Sequence, residues 1–328
     1  MSTASLSTSQ PGSSSSWAAP ASEAEAGPSK ASGSHDKQQQ QQIAAVQARL
    51  YKINTMLQDA EPEEIIEWAI DNLPGLYQTT AFGLTGCVTL DQIAAISRRR
   101  GAPTHLVPLI FIDTLYHFPQ TIDLAHRAAA HYNAPIHIFK PDGCQDPAQF
   151  EQRYGRELWV RDEASYDYLV KVEPAARAYA QLGVRAVFTG RRRSQGAERA
   201  SLNAVEIDET GLIKVNAFLN WSFAQVDEYA KAHSVPYNEL LDFGYRSVGD
   251  WHSTEPTAPG AGDDAERGGR WKGSAKRECG LHRMGDTMRA AKVLREATLA
   301  RNDEQRGDSI AASPSAAAAT APTAAAAS

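Results

Sequence analysis

Leu76-Tyr77-Gln78-Thr79-Thr80-Ala81-Phe82-Gly83 reads as a buried strand that runs into a glycine turn, and Thr85-Gly86-Cys87-Val88-Thr89-Leu90-Asp91-Gln92-Ile93-Ala94-Ala95-Ile96-Ser97-Arg98-Arg99 continues it with helical periodicity. A strand delivered through small residues into a helix is half of a βαβ unit. The pattern then repeats. LVPLIFID (106–113) is a second apolar strand with PQTIDLAHRAAAHY (119–132) as its helix, and PIHIFK (135–140) is a third strand. RDEASYDYLVKVEPAARAYAQLG (161–183) reads as largely helical and VRAVFTG (184–190) as a fourth strand. Strands alternating with helices predict an open, mostly parallel α/β sheet with helices on both faces. AVEIDETGLIKVNA (204–217) predicts a hairpin turning at Asp208–Gly211, and Ser222 is placed to cap a helix over 221–233. Upstream, 43–72 reads as helical, restarting after Pro62.

The flanks differ in kind. Residues 1–42 are rich in Ser, Ala, Gly, Pro and Gln, and 307–328 are mostly Ala. Neither stretch carries the apolar surface that offsets the entropy of ordering, so both are expected to be disordered. The domain is expected over 43–253, followed by a mobile Gly-, Pro- and charge-rich tail over 254–306. A formal net charge of −6 argues against a general nucleic-acid binder. No apolar run approaches the ~20 residues that span a bilayer, and no signal or transit pattern is evident. Three widely spaced cysteines, Cys87, Cys144 and Cys279, suit a reducing compartment, so the cytosol is expected.

Ligands of such sheets bind beyond the carboxyl ends of the strands. The segment Thr80-Ala81-Phe82-Gly83 lies there and can either cradle a phosphate or sulfate with its N–H groups or serve as an ordinary turn. Asp113-Thr114 ends the second strand, where the carboxylate can meet a ribose or adenine edge or simply cap the next helix. Gly190-Arg191-Arg192-Arg193-Ser194-Gln195-Gly196 follows the fourth strand. Consecutive arginines are usually a solvated patch, but placement between a buried strand and Ser-Gln-Gly favours an anion ligand, since guanidinium forks match phosphate oxygens. Cys279 sits in Lys276-Arg277-Glu278-Cys279-Gly280-Leu281-His282, where neighbouring cations favour the thiolate and Glu278 opposes it.

Taken together, TTAFGLTG, LIFIDTLYHFPQT (109–121), KVEPAARA (171–178), FTGRRRSQG (188–196), LLDFGYRSVGDWHST (240–254) and KRECGLH (276–282) resemble the phosphoadenylyl-sulfate (PAPS) reductases, most closely the fungal, thioredoxin-dependent branch. The resemblance covers about residues 76–283. It implies an adenine-nucleotide α-hydrolase-like fold in which Ala81-Phe82-Gly83-Leu84-Thr85 replaces the Ser-Gly-Gly-x-Asp loop of ATP-splitting relatives. It implies Cys279 as nucleophile toward the sulfur of PAPS, release of adenosine 3′,5′-bisphosphate, an S-sulfocysteine intermediate, and reduced thioredoxin as electron donor and partner. Substrate contacts are expected from the segments above, from Arg246 and His252, and from Arg270, Lys272, Arg277 and His282 in the tail. A homodimer is implied as well.

Relatives that act on adenylyl sulfate hold an iron–sulfur cluster on Cys-Cys and Cys-x-x-Cys pairs. The matching positions here are Tyr166-Asp167 and Asp250 with Ser253, so neither a cluster nor another bound metal or cofactor is expected. A pyrophosphatase-loop nucleotidyl transferase of the same fold is the alternative. It would need no Cys279 and would keep the acidic loop residue.

Overall fold

The computed structural model describes residues 32–258, 260, 262, 266–271, 280–283 and 285. It divides into a unit up to Lys52 and a larger one from Ile53 onward. What is described of the first unit is helical: α1 runs Ser32–Leu57. The glutamines at 38–42, expected in a disordered tail, therefore lie within a helix whose residues 37–49 are exposed. Gln is a fair helix former, and no Pro interrupts the chain between Pro28 and Pro62.

The larger unit contains α2 (Pro62–Asn72), β1 (Leu76–Thr79), α3 (Leu84–Arg99), β2 (Leu109–Ile112), α4 (Pro119–His131), β3 (Ile136–Phe139), α5 (Pro147–Tyr154), α6 (Leu158–Arg161), α7 (Glu163–Asp167), α8 (Glu173–Leu182), β4 (Ala186–Phe188), β5 (Val205–Ile207), β6 (Ile213–Val215) and α9 (Phe223–Ala232). A π-helical turn, Tyr168–Val172, joins α7 to α8. The six strands lie in the order β3-β2-β1-β4-β6-β5. All neighbours run parallel except β5, which returns antiparallel to β6 as the expected hairpin. Ser222 Oγ caps α9 by accepting from Gln225 N–H, also as the sequence predicts.

Alternation along the strands puts helices on both faces. Tyr77 donates through its hydroxyl to the Leu182 carbonyl of α8 at 3.4 Å, whereas its neighbour Gln78 donates to the Gly86 carbonyl of α3 at 2.7 Å. On β2, Ile110 and Ile112 pack with Val172, Ala175 and Ala178 at the α8 face. Phe111 turns the other way and meets Phe82 edge to face. From β1 the chain builds outward to β2 and β3, then returns to β4 on the opposite side of β1. That reversal opens a crevice between the carboxyl ends of β1 and β4, the place where such sheets bind ligands.

Candidate functional site

A cavity of about 260 Å³ fills this crevice. Its floor is the β1–α3 turn. The first α-helical bond of α3 runs from Cys87 N–H to the Gly83 carbonyl, so the N–H groups of Leu84, Thr85 and Gly86 come before any intrahelical partner. All three residues line the cavity. Donors of that kind at a helix N-terminus attract anions. Gly86 is required by close approach: a Cβ there would stand 2.5 Å from Thr80 Oγ1.

The walls are cationic. Lys171, Arg191, Arg199, Lys214, Arg246, Arg267 and Arg270 reach the cavity, against the carboxylates of Asp250 and Glu266. Two of these cations are braced from the β5–β6 hairpin. Arg191 pairs with Glu206 at 2.6 Å, and buried Lys214 pairs with Asp208 at 2.8 Å. Burial alone would raise the Asp208 carboxyl, but Lys214 and the Thr210 hydroxyl outweigh it and hold it below the usual range.

Lys171 comes from the π-helical turn and is buried between Asp167 at 2.9 Å and Asp250 at 2.8 Å. Asp250 also accepts from Thr114 Oγ1 at 2.6 Å and from the Tyr166 hydroxyl at 3.2 Å. Burial works to raise its carboxyl, but Lys171, His117 and Thr114 together hold it far below the carboxylate range. Burial and then the Asp250 charge push the Tyr166 phenol upward, so that hydroxyl stays a donor. Tyr166, Asp167 and Asp250, three of the positions that resemblance aligns with cluster cysteines, are thus joined in one buried ionic network without a thiol. Ser253 is nearby, its backbone N–H donating to the Asp250 carbonyl at 3.1 Å.

The expected site residues divide. Thr80, Ala81, Gly83, Thr114, Arg191, Gln195, Arg246 and Arg270 line the cavity. Others do not. The Phe82 ring is buried against Phe111, and its N–H, expected to face an anion, is taken by Thr80 Oγ1 at 2.9 Å. Asp113 closes its own turn by accepting from Leu115 N–H at 2.9 Å and lies 3.7 Å from Lys140; it neither lines the cavity nor caps the next helix, since α4 follows Phe118 with no side-chain cap. Arg193 turns outward to the Leu202 carbonyl and Asn220, Ser194 donates to the Trp221 carbonyl, and Gly196 with φ 69° shapes the turn. Arg192 is wholly enclosed and holds Glu266. His252 stacks on Trp159 with ring centroids 4.2 Å apart and faces a second cavity of about 170 Å³.

Cys279, Lys272 and Arg277 lie outside the described residues, as does the side chain of His282. The residues after Cys279 are informative. A Cβ at Gly280 would stand 3.1 Å from Val172 and 3.5 Å from an Asp167 carboxylate oxygen, and Leu281 lines the cavity. Part of the segment expected to be a mobile tether is also packed. Thr254 bridges Arg270, Trp271 N–H donates to the Ser253 carbonyl at 3.0 Å, and Trp271 is buried. Sequence reasoning missed Lys171 and Lys214. The signal was there: each is a lone lysine inside an apolar run, YLVKV and LIKV, and a buried lysine demands a partner.

Fold and site together define an open α/β protein whose cleft is lined by the N-terminus of α3 and by a ring of cations. Residues 75–256 match the phosphoadenosine phosphosulfate reductase domain family. Across 262 residues the chain is 49% identical to a phosphoadenosine phosphosulfate reductase of Saccharomyces cerevisiae, covering 78% of this chain and 94% of the relative. It is 47% identical to the phosphoadenosine phosphosulfate reductase of Emericella nidulans, covering 76% and 80% respectively. Among solved structures, the phosphate complex of phosphoadenylyl-sulfate reductase from Candida auris superposes with a TM-score of 0.58 at 49% identity, covering 64% of this chain and 97% of that one. The chain belongs to the phosphoadenosine phosphosulfate reductase family and is an oxidoreductase. Among the described residues, no helix is long and apolar enough to cross a membrane.

Proposed function

We propose that the protein reduces PAPS to sulfite and adenosine 3′,5′-bisphosphate in the cytosol, with Cys279 as nucleophile and thioredoxin as reductant. The observation that carries this reading is the convergence of the α3 N-terminus, the cationic walls and Leu281, close in sequence to Cys279, on one cleft at the β1/β4 reversal.

In the first step the Cys279 thiolate attacks the sulfur of PAPS. The S–O bond to the α-phosphate breaks, its electron pair leaves with adenosine 3′,5′-bisphosphate, and the enzyme carries S-sulfocysteine. Charge grows on the departing phosphate oxygen, and fixed donors and cations that already face it need no reorganisation to offset that charge. The α3 N–H groups and the cavity cations suit this task. In the second step a thioredoxin thiolate attacks the Cys279 sulfur, sulfite departs with the electron pair of the S–S bond, and a mixed disulfide remains. Thioredoxin's second thiol resolves it and restores the Cys279 thiol.

No cluster takes part in this scheme. The buried Tyr166, Asp167, Lys171 and Asp250 network supports that view, since these side chains satisfy one another and supply no thiolate. The tail beyond residue 253 presents Cys279 to the two partners in turn, and the working form is a homodimer.

Sulfite release from PAPS by reduced thioredoxin tests the reading directly. Wild type should turn over, and Cys279→Ser should not, while it still binds adenosine bisphosphate. Turnover by Cys279→Ser would end the proposal.

A further inference from the structure

The arm Ser253–Trp271 carries two cavity cations, Arg267 and Arg270, and its described parts close on each other. Glu255 N–H donates to the Gly269 carbonyl at 2.8 Å, and Trp271 N–H donates to that of Ser253 at 3.0 Å. Arg267 and Arg270 both lie over the Trp271 ring, at 5.2 and 4.5 Å from its centroid. These contacts give the arm its shape. The arm is also tied to the loop that precedes it, where Thr257 N–H donates to the Gly244 carbonyl at 2.9 Å and Arg270 Nη1 to the Val248 carbonyl at 3.2 Å. Neither bond reaches α3 or the loop after β4.

Glu266 does reach across. Its carboxylate is buried, with one oxygen on an Arg192 guanidinium nitrogen and the other accepting from Gln195 Nε2 at 3.3 Å. Arg192 is fully enclosed and already bound on its other sides. Its Nε donates to Thr85 Oγ1 at 3.1 Å, and its Nη1 donates to Ser194 Oγ at 2.9 Å and to the Trp221 carbonyl at 3.3 Å. One guanidinium therefore joins the first turn of α3, the loop after β4, the entry to α9 and, through Glu266, the arm. Arg192 is not among the residues that line the cavity, whereas its partners Glu266, Gln195 and Thr85 are. A buried carboxylate and a buried guanidinium each depend on the other, since either alone would be a costly unpaired charge.

We propose that Glu266 is a positioning residue for the reductase reaction. Its ion pair with Arg192 is the latch that seats the arm, so that Arg267 and Arg270 face the substrate anion in the sulfonation step. The proposal rests on the function given above and adds to it the contact that fixes the arm carrying those two arginines to α3 and the loop after β4, beside the bond that Arg270 makes to the Val248 carbonyl. Glu266 touches no reacting atom.

The test uses the full-length chain. Glu266→Gln keeps the shape of the side chain and removes its charge. In this variant, amide hydrogen exchange at Glu255 and Trp271 should speed at least tenfold, while exchange in β1 and β4 stays as in wild type. Single-turnover sulfonation by PAPS should lose at least tenfold in kcat/KM. The rate at which thioredoxin discharges enzyme already sulfonated at Cys279 should not change, because that step follows departure of the nucleotide. Should β1 and β4 lose protection, Glu266→Asp takes over the test. That variant keeps the charge on a stem one methylene shorter, and it should show smaller changes in the same two readouts. Faster exchange without loss of sulfonation, loss of sulfonation without faster exchange, or no change in either would each overturn the latch. A wild-type enzyme that never becomes sulfonated would instead overturn the function on which the latch rests.

Discussion

Replacing Asp250 by alanine should cost more stability than any surface substitution. Asp250 is 1% exposed and receives the Lys171 ammonium at 2.8 Å, the Thr114 hydroxyl at 2.6 Å and the Tyr166 hydroxyl at 3.2 Å. Removal strands a buried ammonium beside half its former carboxylate charge and leaves two buried hydroxyls without their acceptor. Breaking a buried ion pair from one side costs about 3–5 kcal/mol, so ~4 kcal/mol is expected. At roughly 2–4 °C per kcal/mol for a domain of this size, Tm should fall by about 8–16 °C. Asp250→Asn keeps a hydrogen-bond acceptor for one hydroxyl and should lie between the two. The pH dependence follows from the depressed carboxyl. A group held below its unfolded value stabilises the fold above that value, about 4 for Asp, and the contribution is lost as pH falls through the lower folded value. The gap between wild type and Asp250→Ala should therefore be flat from about pH 5 to 8 and narrow progressively as pH falls below about 4. Urea unfolding followed by tryptophan fluorescence, with thermal melts alongside, measures it. A loss below ~1 kcal/mol at pH 7 would refute the claim that the network is a mutually dependent unit.

Gly86→Ala should weaken binding of adenosine bisphosphate and cost about 1–3 kcal/mol, because its Cβ would collide with Thr80 Oγ1 in the cavity floor; calorimetric titration and a denaturation curve check both. Iodoacetamide at pH 7.5 should label Cys279 in the native protein and spare the other two thiols. Cys87 is buried with its thiol pushed up to about 12, chiefly by desolvation, and Cys144 is buried as well. Peptide mapping after a short exposure reads this out, and labelling of Cys87 at a comparable rate would contradict it.

The parallel sheet was legible because each strand is an apolar run ended by turn residues, as in LIFID and AVFTG. The β5–β6 hairpin and the Ser222 cap were equally plain, since local chemistry sets them. What the site residues do was less so. A run such as Arg191-Arg192-Arg193 shows charge but not direction: the structure sends the first to the cavity, encloses the second and turns the third outward. Asp113 and His252 likewise carry the right chemistry, but a turn N–H claims one and the Trp159 ring the other. Partners that lie far apart in sequence decide these outcomes, and local patterns carry no record of them. Arg192 and Glu266 are 74 residues apart, and Tyr166 and Asp250 are 84.

The central claim is a covalent sulfonyl transfer to Cys279, and one measurement tests it most directly. Wild-type protein is incubated with PAPS in the absence of thioredoxin, digested at low pH and mapped by mass spectrometry. The Cys279 peptide should carry the mass of one added SO₃ group, with an equal amount of adenosine 3′,5′-bisphosphate released, and reduced thioredoxin should remove that mass as sulfite appears. An unmodified Cys279 peptide, or the same mass on Cys87 or Cys144, would contradict the account.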